Sequence, residues 1–536
     1  MNGRITFIAI GVCLFMALHS RSQVVFDHIN NTVYPFLDEM AAAGIIRINT
    51  FSKPFAREFI AAKLDSISQH RESLNQRQGY QLDFFLKDYG KELQVGKDWD
   101  RRLDALYVSD STLNLTINPI LGGSVMANEN GSRLHRRIGA GFFASFEKFA
   151  AWGSLRDNAV SDVIALPGHL TPREGQNYKS VTADNRSDYN EAFGGVSYQW
   201  KWGDFSVMKE RLEWGNTERH ANIFSGKAPS YAMVNFRMYP LKWLDFQYIH
   251  GWLVSEELDS SRTYLTPNGT RRVDMNKNIA ANYFTVKSNW NIDFTFGNSI
   301  VYSDNGIQPV YFIPFMFYKS ADHTYSGTGS NELGQNAQLF FDVSARAIKN
   351  VHLYTSLFID EVSISNFWDS DEQTNIMSLK LGATWFNVLP NLHLTAEYTY
   401  NRPWTYRHQI NSTTFESNQY NLGHYLGENA DEFFAMARFN PWRNLRFRGS
   451  GWYARKGPEH VYEIVNGNAN VTGLTFMEET IWEQYGVSLY AEWEIINDAV
   501  LFTGITYQNS VGETTYTPEY LSGNLLTGEF GFRVGW

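Results

Sequence analysis

Beyond Arg101 the chain repeats one pattern, a stretch in which every second residue is apolar followed by a polar connection. A period of two is the mark of an extended strand with one apolar face. In Leu394–Asn401, Leu394, Ala396, Tyr398 and Tyr400 fall on one face and Thr395, Glu397, Thr399 and Asn401 on the other. Tyr485, Val487, Leu489, Trp493 and Ile495 oppose Ser488, Glu492 and Glu494 in the same way. Short connections such as Tyr239-Pro240-Leu241-Lys242, Trp290-Asn291, Lys349-Asn350 and Leu389-Pro390-Asn391 alternate with long ones at 158–187, 212–228, 256–277, 303–336, 362–376, 402–430, 456–480 and 509–523. This spacing predicts eighteen strands, the first two over 113–125 and 135–144 and the last over 525–536. Lipid forces every backbone group to be paired, which a closed antiparallel barrel achieves. The fold class expected is therefore an all-β transmembrane barrel.

The last strand is informative. Phe530, Phe532, Val534 and Trp536 share one face, and Glu529, Gly531, Arg533 and Gly535 the other. Such a strand, finished by an aromatic residue, resembles the assembly signal of bacterial outer-membrane barrels, so the barrel assembly machinery and outer-membrane lipid are expected partners. Aromatic residues make up 15% of the chain while mean hydropathy is only −0.35. That combination suits a barrel, because only alternate residues face lipid and Trp and Tyr gather at the interfaces. Arg4, the apolar run Ile5 to Leu18 and Ser20-Arg21-Ser22 predict a signal peptide over 1–22, cleaved before Gln23. Cleavage there would remove Cys13, excluding thiol catalysis and thiolate metal sites, and would shift the net charge from −10 to −12. No basic tail or patch points to nucleic acid.

Between the signal and the barrel the period becomes helical, and residues 23–100 are expected to form a periplasmic helical bundle, with 101–536 as the barrel. Ile29, Val33, Leu37 and Met40 share a helical face ending at Gly44. Ser52 and Pro54 predict the start of a second helix striped by Phe55, Phe59, Leu64 and Ile67. A third carries Leu82, Phe85, Leu86, Tyr89 and Leu93. Two roles fit the bundle: a lid or stand for the barrel, and a docking site for an envelope partner.

Catalytic patterns are lacking. There is no His-Glu-x-x-His, no Gly-x-Ser-x-Gly, and no paired histidine spacing suited to zinc. The spacing of His424 and Glu428 falls in a Gly-rich loop, where it reads as chance. Neither an enzyme nor a cofactor nor a metal is expected. Charged residues on the polar strand faces, such as Asp342 and Arg346 or Arg446 and Arg448, imply a lumen crossed by ion pairs, with a polar solute path as the alternative. Arg156-Asp157 reads as a pair latching a loop to the wall, or as a ligand contact. Two stretches carry the aromatic, Arg and carboxylate mixture that recognises sugars: Glu210, Arg211 and Trp214, and Arg402, Trp404, Tyr406, Arg407 and His408. Both are expected at the outer ends of strands, where an aromatic girdle offers an equally ordinary explanation.

Several segments carry a family resemblance. Tyr34-Pro35-Phe36-Leu37-Asp38-Glu39-Met40, Lys53-Pro54-Phe55-Ala56-Arg57, Asn118-Pro119-Ile120-Leu121-Gly122-Gly123, Arg136-Arg137-Ile138-Gly139-Ala140 and Ser154-Leu155-Arg156-Asp157-Asn158 come in the order seen in the Wzi-type capsule assembly family, as it occurs in Bacteroidetes-like sequences. Ala228-Pro229-Ser230, Tyr311-Phe312-Ile313-Pro314-Phe315, Glu397 to Tyr406 and Gly423 to Glu432 continue it. The resemblance implies an eighteen-stranded outer-membrane barrel with a periplasmic helical bundle, which attaches capsular polysaccharide or exopolysaccharide at the cell surface and is not an enzyme. An oligosaccharide-specific porin and a barrel serving surface adhesion or gliding motility are the competing classes.

Overall fold

The computed structural model describes residues 24–93, 99–110, 112–303, 306–325, 334–361, 368, 375–460, 464–465, 468–469, 473–496 and 498–535. The signal segment, with Cys13 and the cleavage position, and Trp536 lie outside the described residues. Eighteen antiparallel strands form a closed barrel. They are β1 (Leu113–Asn128), β2 (Gly131–Phe146), β3 (Phe149–Val160), β4 (Ser187–Trp200), β5 (Gly203–Glu210), β6 (Tyr231–Leu241), β7 (Leu244–Leu258), β8 (Asp274–Lys287) and β9 (Ile292–Tyr302). The second half comprises β10 (Asn336–Ala345), β11 (Val351–Glu361), β12 (Ile376–Leu389), β13 (Leu392–Asn401), β14 (Ala430–Trp442), β15 (Leu445–Lys456), β16 (Trp482–Ile496), β17 (Ala499–Gly512) and β18 (Gly523–Val534). The expected first two strands are longer than the sequence suggested, because Asn128 pairs with Gly131 and the alternation continues through the hairpin.

The closing strand covers only part of β1. β18 pairs with Leu121–Ala127, and the other half of β1 is taken by a short strand, Leu106–Ser109, in which Leu106 faces Ile117 and Ser109 faces Asn114. The residues just ahead of β1 thus complete the seam, leaving less unpaired edge toward lipid. This strand is too short to have been legible from periodicity.

The outer surface is apolar where a soluble protein would be polar. Phe530 is 60% exposed and Phe532 46%, and Leu394, Tyr398, Tyr485, Val487, Leu489 and Trp493 are also exposed on that face. A belt of this kind fits only a lipid environment. The opposite faces line the lumen with ion pairs between neighbouring strands, not across it: Arg446 with Glu494 at 3.0 Å, Lys380 with Glu397 at 3.0 Å and Arg237 with Asp204 at 2.9 Å. Arg156 and Asp157 are consecutive strand residues, so Arg156 points into the lumen and Asp157 outward, and they form no latch.

Three helices cap the short-turn end: α1 (Val33–Ala42), α2 (Arg57–Ser68) and α3 (Gln76–Leu93). Their core joins Val33, Phe36, Leu37 and Met40 to Ile60, Leu64 and Ile67 and to Leu82, Phe85 and Tyr89. Gly44, at φ +78°, ends the first helix in the left-handed conformation that glycine adopts without strain. The second helix begins later than the sequence suggested. Ser52 and Lys53 pair with Trp214 and Glu213 as a short strand, and Ser52 Oγ donates to Gln247 Oε1 at 2.8 Å instead of capping a helix. Its buried stripe is Ile60, Ala61, Leu64 and Ile67, and Phe59 is turned outward.

Polar contacts fasten the cap to the short turns. Asn350 N donates to Ala42 O at 2.7 Å, Asn387 Nδ2 to Glu39 Oε1 at 2.9 Å, and Arg102 pairs with Asp498 at 2.6 Å. At the centre Asp88 meets Lys91 at 3.1 Å, Arg57 at 3.2 Å and Arg102 at 3.3 Å. Burial acts to raise its carboxyl, but Arg102, Arg57 and Lys91 together hold it well below the ordinary aspartate value of 3.8. A depressed folded pKa adds stability above the unfolded value and loses it below. Asp88→Asn is therefore expected to weaken amide protection of the helical cap above pH 4, and the gap from wild type to close as pH falls below about 3.8. Asp27 and Glu92 are raised chiefly by burial and in part by the Asp88 charge, so the substitution also eases these two carboxyls and the difference reports the cluster centred on Asp88. A gap that did not change with pH in hydrogen exchange would overturn this assignment.

Two loops leave the expected path. Residues 212–228 fold into the lumen, where Glu213–Trp214 lies between Ser52–Lys53 and Phe224–Ser225 in a three-stranded sheet. Residues 309–325, including α4 (Tyr318–Tyr325), lie against the outer wall of β7–β10. On that wall Asn282 Nδ2 donates to Pro314 O at 2.8 Å and to Met316 O at 2.9 Å, and Tyr318 N donates to Asn298 Oδ1 at 2.8 Å. These two outward asparagines satisfy backbone groups that lipid would leave unpaired.

Candidate functional site

The lumen is filled from both ends. Phe51, carried up from the cap, packs against Tyr283 at 4.7 Å. Trp214, carried down from the β5–β6 loop, meets Phe224 at 4.9 Å, Tyr283 at 5.0 Å and Phe340 at 5.9 Å, and is 0% exposed. The loop is clamped by wall groups: Asn216 Nδ2 donates to Asp342 Oδ1 at 2.8 Å, Glu218 N donates to Glu397 Oε1 at 2.6 Å, and Arg219 pairs with Glu432 at 2.6 Å. Arg438 adds an ion pair to Glu218. The wall charges thus serve as partners for an inserted plug as well as for each other.

This placement relocates most of the residues expected at the outer rim. Glu210 is buried and accepts from Trp152 Nε1 at 3.0 Å. Arg211 is buried and donates to the carbonyls of Ala228 and Gly175, each at 2.9 Å, so it braces the root of the plug. Trp404 is buried, and its backbone N–H donates to Glu428 Oε2 at 2.7 Å. Tyr406, 2% exposed, donates its hydroxyl to Asn222 O at 2.7 Å and so ties the β13–β14 loop to the plug. Trp404 and Tyr406 both have positive φ, at 69° and 72°, a turn geometry that carries both rings inward. Arg402 is half-buried, and so is His408, whose Nδ1 accepts from Thr413 Oγ1 at 2.7 Å and whose pKa is pushed down to about 4 by burial and by Lys319. Of the expected set, Arg407 alone is largely exposed, at 44% of its side chain.

Arg407 lines a cavity of about 140 Å³ on the long-loop face, between the β3–β4, β13–β14, β15–β16 and β17–β18 loops. Tyr420, Tyr425 and Tyr516 supply ring surface, and Lys227, Glu428 and Glu459 supply charge. Arg407 bridges the two glutamates, 3.5 Å from Glu428 and 3.9 Å from Glu459. Lys227 donates to Thr171 O at 2.6 Å, lies 5.9 Å from the Tyr425 ring, and is brought down to about 7 by burial. His424 sits 3.4 Å from Glu432 and forms no joint site with Glu428. Among the described residues no group of three or more His, Cys, Asp or Glu is placed to hold a metal. Sequence reasoning missed Tyr420, Tyr425, Tyr516 and Lys227. The signal available was the tyrosine and carboxylate mixture of 416–428, but nothing in the chain pairs it with three other loops.

No family profile matches the chain. No curated protein sequence matches it either. Its fold is similar to that of Wzi of Escherichia coli, an outer-membrane protein involved in group 1 capsule assembly and described as a carbohydrate-binding β-barrel, with TM-score 0.59 and 11% identity over 96% of this chain and 100% of that one. OprD of Pseudomonas aeruginosa is a more distant likeness, with TM-score 0.41 and 10% identity over 81% of this chain and 95% of that one. OprE of the same organism gives TM-score 0.43 and 7% identity over 79% and 97%. The likeness to Wzi supports the outer-membrane barrel fold.

Proposed function

We propose that this protein is a non-enzymatic outer-membrane barrel that binds capsular polysaccharide or exopolysaccharide at its long-loop face and so aids capsule assembly. The observation that carries the reading is the rim cavity, where Tyr420, Tyr425, Tyr516 and the charged groups of Lys227, Arg407, Glu428 and Glu459 line one recess at the long-loop end, with Arg407 and Glu459 at its exposed mouth. Sugars are held by ring faces against C–H groups and by polar groups that fix the hydroxyls. The cavity is of a size for a single sugar ring, so each contact is weak. A long polymer bridging many barrels gains through effective concentration. The likeness to a carbohydrate-binding barrel of capsule assembly supports the same reading, as does the resemblance to its family.

Arg407→Ala combined with Glu459→Ala is expected to weaken binding of the cell's own extracted surface polysaccharide by tenfold or more, measured on purified barrels immobilised at a density that allows multivalent contact. Unchanged binding would remove the rim cavity from the proposal. A clean deletion is expected to leave polymer synthesis intact while shifting polymer from the cell surface to the medium. An unchanged surface coat would end the capsule reading in favour of adhesion or motility.

A further inference from the structure

Between the plug and the wall formed by β1–β4 and β14–β18 lies a cavity of about 620 Å³ that reaches from the helical cap to the β3–β4 loop. It is lined by ten arginines and six glutamates, with no lysine or aspartate. The arginines near the cap and along β14–β18 are matched. Arg77 pairs with Glu39 at 2.5 Å, Arg446 with Glu494 at 3.0 Å and Arg533 with Glu492 at 2.8 Å. The group toward the long-loop end is different. Arg133, Arg137, Arg156 and Arg173 form no ion pair with any described residue.

Arg137 and Arg156 are the sharpest case. Arg137 pairs in register with Asn158, and Arg156 with Gly139, so the two arginines are diagonal neighbours on the lumenal face of β2 and β3. Diagonal neighbours sit roughly 7–8 Å apart, a span one oxyanion can bridge. Their Nε groups are both buried without an acceptor, as is Asn158 Nδ2. Arg156 lies with its guanidinium 5.0 Å from the Phe193 ring, which packs one face and leaves its N–H edge unanswered. Glu191 stands directly opposite Arg156 in register, but Arg211 engages it at 3.4 Å. Arg133 spends its Nε on Asp162 O at 2.7 Å, and Arg173 reaches only the Met126 sulfur at 3.8 Å. Buried donors on charged groups are almost always paired, and arginine forks fit carboxylate and phosphate oxygens.

We infer that the long-loop half of this cavity is an oxyanion site, in which Arg137 and Arg156 bind the carboxylate or phosphate group of a small solute or sugar while Arg133 and Arg173 add positive potential. The inference does not depend on the rim reading, since none of these four residues lines the rim cavity.

The test is calorimetric titration of the purified full-length barrel with sodium glucuronate, inorganic phosphate and glucose at matched ionic strength. Both anions, or one of them, are expected to bind saturably and glucose not at all; the tighter anion identifies carboxylate or phosphate as the natural group. Arg137→Gln with Arg156→Gln is expected to weaken anion binding tenfold or more, while Arg407→Ala with Glu459→Ala leaves it unchanged. Should the double glutamine variant fail to fold, Glu191→Gln decides, because removing the neighbouring carboxylate is expected to tighten anion binding at least threefold. No anion binding by wild type, equal competition by chloride (a counter-ion only), or unaltered affinity in the folded variants would overturn the site.

Discussion

A planar bilayer holding the wild-type barrel is expected to show no steady current, and the same barrel lacking residues 213–227 is expected to conduct at the level of an open porin. Eighteen strands enclose a lumen wide enough for an aqueous channel unless something fills it. Here the centre of the filling is one loop and the strand it pairs with, against which Val24–Phe26 and Phe415, Tyr420 and Leu422 pack. Glu210 and Tyr231 are register partners, so a short Gly-Ser linker can close the truncated loop without disturbing the wall. Removing it takes away Trp214, Asn216, Glu218 and Arg219, which hold the plug to Tyr283, Asp342, Glu397 and Glu432. The freed wall carboxylates then face water, and the arginine-lined cavity joins the opening. Steady wild-type conductance would restore the oligosaccharide-channel reading. A folded but silent deletion would move the seal to residues 45–56.

The strand pattern was legible because lipid and lumen impose opposite demands on alternate residues. Phe530 and Phe532 against Glu529 and Arg533, or Leu394 and Tyr398 against Glu397, admit only one assignment of faces once a barrel is granted. The same rule separates Arg156 from Asp157, and treating them as a pair overlooked it. The fate of the long loops was not legible in the same way. Residues 212–228 hold two aromatic and four charged residues and 309–325 six aromatic and two charged ones, and the first segment enters the lumen while the second lies on the outer wall. What decides between them is the wall each one meets. Asn282, Asn298 and His250 sit at outward positions among apolar neighbours, and such polar breaks in the lipid face mark a covered wall. His250 is stacked 4.1 Å from Phe312 of the covering segment. Ser52 shows the limit on the helical side: its helix-cap signal is real as chemistry, but pairing with Trp214 outcompetes it. The rim cavity was invisible for a related reason, since its tyrosines come from separate loops that only the closed barrel brings together.

Trp214→Ala is expected to be the most disruptive single substitution in the plug. The ring is fully buried, and four aromatic side chains surround it. Truncating a buried tryptophan leaves a cavity and costs roughly 3–5 kcal/mol. The loss falls on docking of the plug, because the barrel wall keeps its own ladder of backbone hydrogen bonds. Amides of 213–227 are therefore expected to exchange about a hundredfold to a few thousandfold faster in the variant, while amides of β7–β10 change little. Trp214→Phe retains part of the ring contact and is expected to fall between. Brief openings should accompany the loss of protection in bilayers, since the same contacts that bury Trp214 close the lumen. Plug amides as well protected as in wild type would show that the polar clamp on Asp342, Glu397 and Glu432 suffices. Weakened polysaccharide binding with an undisturbed plug would instead return Trp214 to the sugar-binding role its composition first suggested.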